Sequence, residues 1–354
     1  MRMVMRRVAA QRWAGLVMSA VVALTGLAAC GDGASSGSGN TAGVTLRLGH
    51  FPNLTHATPI VGIEKGIFTE KLGANVDLQV KTFNAGPEAV TALISGALDA
   101  TFIGPNPAIN AWSQSNGQAV KLVAGSASGG VFFVTKPEIT KVEDLRGKTI
   151  ATPQLGNTQD VALRYWLKQK GLSTTKEGGG DVFIKPQDNA ITVDTFRTGA
   201  IDGAWVPEPT ASRLIAAGGK VLLDERDLWP DGRFVITHLL VSMRFLNEHR
   251  DVVKKLIEGS VATNTFINAN PAEAQKAISD SIGKITGKPL DLKLIEQAWT
   301  SISFLDDPLA ESLRTSAAHA QEVELLKPVD LNGIYDLTLL NEVLAANGSV
   351  EVKT

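Results

Sequence analysis

Two stretches of the chain, SGALDATFIGPNP at residues 95–107 and TGAIDGAWVPEP at residues 198–209, share one pattern. Each follows an amphipathic segment, and each runs from a glycine through a short apolar stretch to a loop that contains proline. The glycine is typical of a residue that ends a helix, and the apolar stretch is typical of a buried strand. Both stretches therefore predict a helix, a turn and a strand, followed by a stiff loop where the strand ends. Their agreement over twelve positions favours an internal repeat over chance.

The alternation of strand and helix continues outside the repeat. Residues 46–48 and 76–80 predict strands, and the second of these alternates apolar and polar side chains. Pro87 predicts the first turn of a helix, because proline fits that position. Strands that alternate with helices indicate βαβ units and a largely parallel sheet. The sequence therefore predicts an α/β fold with two similar lobes.

Changes in composition divide the chain into five segments. They are an export signal (1–29), a flexible linker that starts at Cys30 (30–43), the first part of lobe 1 (44–136), lobe 2 (137–234), and a return to lobe 1 followed by C-terminal helices packed on it (235–354). A second lobe inserted into the first requires two crossings between them. Two crossings predict a hinge that closes on a ligand in the cleft.

The overall composition excludes several classes of protein. Hydrophobic residues make up 44% and charged residues 20%, which is typical of a globular chain and not of a disordered one. A single cysteine excludes a disulfide framework and a cysteine-built zinc site. Residues 1–29 hold four arginines and no acid, so the remainder is more acidic than the whole-chain charge of −2 indicates. This acidity argues against nucleic acid as a partner.

The first thirty residues predict export. Arginines precede an apolar run of sixteen residues, 14–29, which ends in Leu27-Ala28-Ala29-Cys30. This order is typical of a secretory signal, and the run is shorter than the roughly 20 residues of a membrane-spanning helix. Its end resembles the lipobox of bacterial lipoproteins, which implies that Cys30 becomes the diacylated first residue. Residues 31–43 are rich in Gly, Ser and Ala, which indicates a flexible tether.

Polar residues follow several predicted strands, at the sheet edge where ligands bind in open parallel sheets. Residues 53–56, 86–87 and 154–158 each lie between a strand and a helix. Helix N-termini offer backbone N–H groups and a positive dipole end to an anion. Simple helix capping is the alternative for any one segment, but three segments at matching positions favour a shared anion site. The candidate ligand-binding residues are Asn53, Thr55, His56, Asn106, Ser126, Ser128, Gln154, Gly156, Asn157, Thr158, Trp205 and Glu208.

Two of these candidates have an equally good alternative. Trp205 ends a strand, where its ring covers a ligand's alkyl group or belongs to the core. Glu208 bonds a ligand amine or braces its loop. The role of His50 stays open.

The sequence predicts neither an enzyme nor a metal site. It lacks the motifs of nucleophile-elbow hydrolases, phosphate loops and zinc proteases. His50 and His56 have no cysteine or carboxylate in the same loop, which disfavours a metal. We therefore expect no catalytic residue and no cofactor.

The chain resembles the substrate-binding lipoproteins of ABC importers in the nitrate, sulfonate and taurine group, and is most similar to the aliphatic-sulfonate branch. The resemblance rests on residues 51–57, 83–87, 104–107, 154–160 and 202–209. It departs from some sulfonate binders where Pro-Asn-Pro replaces Glu-Ala-Pro and Pro-Glu-Pro replaces Trp-Asp-Pro.

The resemblance implies a type II periplasmic-binding-protein fold and a monomer on the outer face of the cytoplasmic membrane. It implies a lipid anchor, and a permease with its ATPase as partners. The implied ligand is a small organic anion, an aliphatic sulfonate, whose head group is bonded by Asn53, Thr55, His56, Asn106, Asn157 and Thr158. Nitrate, taurine, a thiamine pyrimidine precursor, or an enzyme on the same fold are the alternatives.

Overall fold

The computed structural model describes residues 43–287 and 289–354, and strands in this part form two sheets. The first sheet contains β1 (Val44–His50), β2 (Val76–Thr82), β3 (Ala100–Ile103), β4 (Val120–Gly129), β10 (Val235–Ser242) and β11 (Ile302–Phe304), in the order β11-β4-β10-β3-β1-β2. The second contains β5 (Val131–Thr135), β6 (Thr149–Thr152), β7 (Phe183–Pro186), β8 (Gly203–Pro207) and β9 (Lys220–Asp224), in the order β7-β6-β8-β5-β9.

Helices cover the sheets. They are α1 (Ala57–Glu64), α2 (Ile67–Leu72), α3 (Gly86–Ile94), α4 (Pro105–Gln114), α5 (Thr158–Gln169), α6 (Asn189–Arg197), α7 (Thr210–Ala216), α8 (Met243–Glu248), α9 (Arg250–Ala269), α10 (Pro271–Thr286), α11 (Leu292–Trp299), α12 (Ala310–Glu322) and α13 (Thr338–Ala346). Short 3-10 helices lie at Leu54–His56, Val142–Leu145, Glu225–Leu228 and Pro230–Gly232. Among the C-terminal helices, α9 packs on α1 and α2, whereas α12 contacts both α4 and α5. The C-terminal part therefore touches helices of both lobes, and not those of the first lobe alone. No helix in the described ranges has the length and apolar character needed to cross a membrane.

The sheets are mixed, where the sequence predicted largely parallel ones. Strands β1, β2 and β3 are parallel, as are β6, β7 and β8. The next strand in each sheet, β10 or β5, is antiparallel to its neighbour. Strand β5 follows β4 of the other sheet directly, and β10 follows β9 through two short 3-10 helices. Neither strand is reached by the α-helical crossover that usually joins parallel strands.

Two turns repeat the same hydrogen bonds, one in each of the two stretches that share a sequence pattern. After α3, the backbone N–H of Asp99 donates to the carbonyl of Arg47, and the N–H of Arg47 donates to the carboxylate of Asp99, both at 2.9 Å. After α6, Asp202 and Thr149 exchange the same two bonds at 2.7 and 2.8 Å. Each aspartate thereby fixes the register of the strand that follows against the neighbouring parallel strand.

The first crossing between the sheets falls at Gly129–Gly130, with φ of +80° and +71°. A Cβ on Gly129 would lie 2.4 Å from the carbonyl oxygen of Ser301, so only glycine fits. Strand β5 therefore belongs to the second sheet, although its residues precede the expected lobe boundary at residue 136. The chain returns to the first sheet between β9 and β10.

The paired turn bonds lead to a stability prediction. The variants Asp99→Ala and Asp202→Ala remove the acceptors of the N–H groups of Arg47 and Thr149. We expect each to lower the free energy of unfolding by about 1–3 kcal/mol, since a buried donor then loses its partner. The loss should be larger for Asp99, which is 1% exposed and also pairs with the Arg47 side chain at 2.8 Å.

Urea denaturation monitored by circular dichroism measures both effects. The exposed aspartate Asp77, which bonds only to nearby Gln79, supplies the control variant Asp77→Ala. If Asp99→Ala costs no more than this control, the turn bonds do not hold the strands in register.

Candidate functional site

A small cavity, here named the inner chamber, lies between the two sheets. Its volume is about 20 Å³, room for about one water molecule. The first-sheet side contributes Phe51, Asn53, Thr55, His56, Asn84, Gly104 and Ile236, and the second-sheet side contributes Pro153, Asn157, Thr158, Gln159, Asn189 and Pro207. The two lobes thus bring together the predicted residues Asn53, Thr55, His56, Asn157 and Thr158.

The N-terminal ends of several helices meet at the inner chamber. Asn157 and Gly104 are the N-cap residues of α5 and α4, Asn53 precedes a 3-10 helix, and Asn189 is the first residue of α6. None of these four helix starts has a side-chain cap. Because the first N–H groups of a helix have no partner within it, the starts of α4, α5 and α6 present donors and partial positive charge. The first N–H of the 3-10 helix, that of Leu54, instead donates to the carbonyl of Glu208 at 2.9 Å.

The side chain of Asn157 does not cap α5, so it leaves the first N–H groups of this helix available. Its Nδ2 donates to Oε1 of Gln159 at 3.2 Å, and its side chain accepts no bond from the first turn of α5. The alternative in which these segments serve only as caps therefore does not describe α5.

His56 supplies a neutral hydrogen-bond donor. Its Nδ1 accepts the backbone N–H of Phe51 at 3.3 Å, so the proton of the neutral ring resides on Nε2. Burial, with a smaller contribution from nearby His50, holds the pKa of His56 well below its usual value. Burial also lowers the pKa of His50, to about 4. The site therefore presents an imidazole N–H and not an imidazolium at neutral pH.

The pair Asn53 and Thr55 is similarly oriented. Oγ1 of Thr55 donates to Oδ1 of Asn53 at 2.8 Å. With its oxygen engaged, the Asn53 amide offers its N–H donors to the chamber.

Two side-chain oxygens at the chamber are buried without a hydrogen-bond partner among the described residues: Oγ1 of Thr158 and Oδ1 of Asn189. Buried polar groups are nearly always hydrogen-bonded, so unpartnered ones in a cavity indicate a place where a water molecule or a ligand completes the bonding. A Cβ on Gly104 would lie 2.6 Å from this Thr158 oxygen. Glycine at this position thus lets the two lobes approach.

Trp205 does not face the inner chamber. Its side chain is fully buried, stacks on Phe133 with ring centroids 5.3 Å apart, and packs against Trp166. Its Nε1 donates to the carboxylate of Glu225 at 2.6 Å, and burial raises the pKa of that carboxyl to about 7. The expected role of Trp205 in covering a ligand's alkyl group is therefore corrected to a core position.

Three other predicted residues do not line the chamber, and each bonds to another part of the protein. They are Asn106, Ser126 and Ser128. Nδ2 of Asn106 donates to the carbonyl of Ser316 on α12 at 3.2 Å. Ser126 donates to Thr58, and Ser128 accepts the backbone N–H of Phe234 near the crossing. These three side chains hold the fold together instead of lining the cavity.

The other predicted positions brace the loops around the chamber. Glu208 is buried, and its carboxylate accepts the N–H and the hydroxyl of Ser212 at 3.0 and 2.8 Å. The N–H of Gly156 donates to the carboxylate of Asp160 at 2.9 Å. Gln154 reaches Glu88 at 3.4 Å across the cleft, and its Oε1 is buried without a partner in the described chain.

Asn84, Gln159 and Asn189 line the chamber but were not predicted as site residues. Asn84 lies in the segment 83–87 that carries the resemblance, and Asn189 follows β7 as Asn157 follows β6. The position of a polar residue between a strand and a helix was therefore the signal that could have found Asn189.

A larger cavity, the outer chamber, adjoins the inner one. Its volume is about 430 Å³, and Asn53, Asn84 and Asn189 line both cavities. The outer chamber adds Phe83, Thr210, Arg213, Ile282, Ile285 and Leu290, among others.

The described residues contain no group of three His, Cys, Asp or Glu side chains placed to hold a metal ion.

Residues 40–281 match the NMT1-like family. The chain belongs to this family. It is 30% identical over 207 residues to the taurine-binding periplasmic protein of Escherichia coli, a match that covers 58% of this chain. The match spans only 61% of that relative's length.

Solved structures show the same fold. The alkanesulfonate-binding protein of Xanthomonas axonopodis bound to MOPS superposes with a TM-score of 0.69 at 18% identity, over 83% of this chain and 98% of that one. The periplasmic nitrate-binding protein of Synechocystis gives a TM-score of 0.72 at 15% identity, over 86% and 89%. The expected periplasmic-binding-protein fold is thereby confirmed.

The neutral state of His56 predicts how stability depends on pH. An unfolded histidine titrates near pH 6.5, while the pKa of folded His56 is far lower. As pH falls below 6.5, the unfolded chain binds a proton that the folded one does not, so stability falls. The comparison is between the free energies of unfolding of the native protein and of His56→Gln. The native value minus the variant value should decrease by up to about 1.4 kcal/mol for each unit by which the pH falls from 6.5 to 5.

Urea denaturation between pH 5 and 8 measures this difference, and the range from pH 7.5 to 8 is the internal control where it should be constant. A difference that stays constant down to pH 5 would mean that His56 is protonated in the folded protein.

Proposed function

We propose that this protein is the solute-binding component of an ABC importer and that it captures a small organic anion, an aliphatic sulfonate, by closure of its two lobes. The observation that carries the proposal is the inner chamber, where uncapped helix starts from both lobes meet beside the neutral donor His56. No acidic residue in the described chain lines this chamber. Such a site favours a negative group.

The strength of such a site is adequate for capture. A hydrogen bond to a charged group contributes about 1.5–3 kcal/mol, and micromolar affinity corresponds to about 8 kcal/mol. Four or five bonds from Asn53, His56, Thr158 and backbone N–H groups therefore suffice without a cation.

The ligands named for related proteins support an anion of this kind, since taurine and alkanesulfonates both carry a sulfonate. Taurine also carries an ammonium group, which a buried site would pair with a carboxylate. No carboxylate of the described chain lines the inner or the outer chamber. This favours a sulfonate without an amine.

We place the protein outside the cytoplasmic membrane, anchored through lipids on Cys30, and propose that it passes its ligand to a permease served by an ATPase. Cys30 lies outside the described residues. The glycines of the crossing, Gly129 and Gly130, provide the place where the lobes move relative to each other. The protein acts as a monomer and performs no chemistry on the ligand.

The unpartnered hydroxyl of Thr158 gives a sharp test. Thr158→Val keeps the shape of the side chain and removes the hydroxyl. Because that hydroxyl has no partner in the described structure, the variant should be at least as stable as the native protein without ligand. Its affinity for propane-1-sulfonate should fall roughly tenfold or more, since a bond to a charged group is lost.

Isothermal titration calorimetry measures the affinity. Thr135→Val is the matched control, because Oγ1 of Thr135 is also buried and unpartnered but does not line the chamber. Equal affinities of the two variants would contradict the proposed site. Conversion of the sulfonate, detected by mass spectrometry, would favour an enzyme.

The lipid anchor predicts a second outcome. In cells that express Cys30→Ser, the protein should move from the membrane fraction to the medium or periplasm, because two acyl chains are needed for lasting attachment. Immunoblots of the fractions measure this shift, with Ser35→Ala in the adjacent linker as the control. Retention of Cys30→Ser in the membrane would contradict lipid attachment at Cys30.

A further inference from the structure

Arg213 differs from every other arginine in the described part of the chain. That part contains ten arginines, and nine of them form ion pairs with an aspartate or glutamate. The guanidinium of Arg213 has no such pair and no hydrogen bond within the described residues. Its pKa is lowered by burial, with no acidic neighbour to offset the effect.

The position of Arg213 makes this lack of a partner informative. The residue lies on α7 and lines the outer chamber, half-buried. No acidic side chain of the described chain lines that chamber. A partly desolvated cation without a counter-charge is unfavourable, and an anionic group that enters the chamber removes this cost.

The two chambers adjoin each other, since Asn53, Asn84 and Asn189 line both. The inner chamber, at about 20 Å³, is far smaller than the outer one, at about 430 Å³. A ligand whose head group is held at the inner chamber therefore extends its remaining atoms into the outer one.

The wall of the outer chamber suits a short carbon chain. Phe83, Ile282, Ile285 and Leu290 contribute apolar surface along it. Among the described residues that line the chamber, Arg213 is the only cation, and it lies on the lobe-2 side.

We infer that Arg213 binds a second acidic group at the far end of the ligand, so that the substrate class is a short alkanesulfonate that carries a carboxylate or a second sulfonate. This inference rests on the proposed function, because it assumes that a sulfonate occupies the inner chamber. The planar guanidinium donates two parallel hydrogen bonds to a carboxylate, which gives a strong and oriented contact.

The test compares two ligands of nearly the same shape, propane-1-sulfonate and 3-sulfopropanoate, in which a carboxylate replaces the terminal methyl group. Titration calorimetry on the purified protein should show that 3-sulfopropanoate binds roughly tenfold or more tightly than propane-1-sulfonate. In Arg213→Gln this preference should vanish, while the affinity for propane-1-sulfonate stays within about twofold. Arg213→Lys keeps the charge but not the planar pair of donors, so it should retain part of the preference.

Arg197→Gln is the matched control, since this lobe-2 arginine pairs with Asp194 on an exposed surface outside both chambers. The preference of Arg197→Gln for 3-sulfopropanoate over propane-1-sulfonate should equal that of the native protein. An unchanged preference in Arg213→Gln, or an equal loss for both ligands, overturns the role of Arg213. Binding of propane-1-sulfonate with no preference for 3-sulfopropanoate overturns the substrate class and leaves the proposed function standing, whereas failure to bind either sulfonate overturns the proposed function itself.

Discussion

The exchange of hydrogen bonds between an aspartate and the neighbouring strand is the constraint on which both lobes depend. Asp99 and Asp202 each follow a helix and a glycine turn, and each locks the next strand onto a parallel partner, β1 or β6. Since the register of β3 and β8 is fixed at their first residues, the loops at their carboxyl ends come to defined positions. Those loops carry Gly104 and Pro207, which line the inner chamber from opposite sides.

The site arises because the two lobes present the same kind of surface to each other. In each, helices begin at the carboxyl ends of strands and leave their first N–H groups without side-chain caps. Gly104 lets the hydroxyl of Thr158 approach from the other lobe, and Gly86 leaves room for Pro107. The lack of a side chain at Gly104 and Gly86 is therefore as important for forming the site as the donors that surround these residues.

The segments that form the site were predicted correctly from the sequence more often than the individual side chains that line it. Asn53, His56 and Thr158 were identified because each lies between a strand and a helix, and that position leads to the chamber. Trp205 could not be assigned in this way, because β8 is covered on both faces and its side chains are buried throughout. Only the structure shows that its ring points to Phe133.

Long-range contacts explain the other differences. Asn106 turns to α12, more than two hundred residues later in the chain, and a helix position alone gives no sign of that partner. The crossing was expected near residue 136, at a visible Lys-Pro break, whereas two glycines six residues earlier turn the chain into the second sheet. Local signals of a break thus located the crossing only approximately.

The donors of the inner chamber have a consequence for the uptake of protons. No lysine or arginine of the described chain lines this cavity, and His56 is neutral there. A negative group that enters this cavity therefore meets neutral N–H and O–H dipoles, which is also how helix N-termini hold anions. Its capture near neutral pH would not require a described side chain of the cavity to take up a proton.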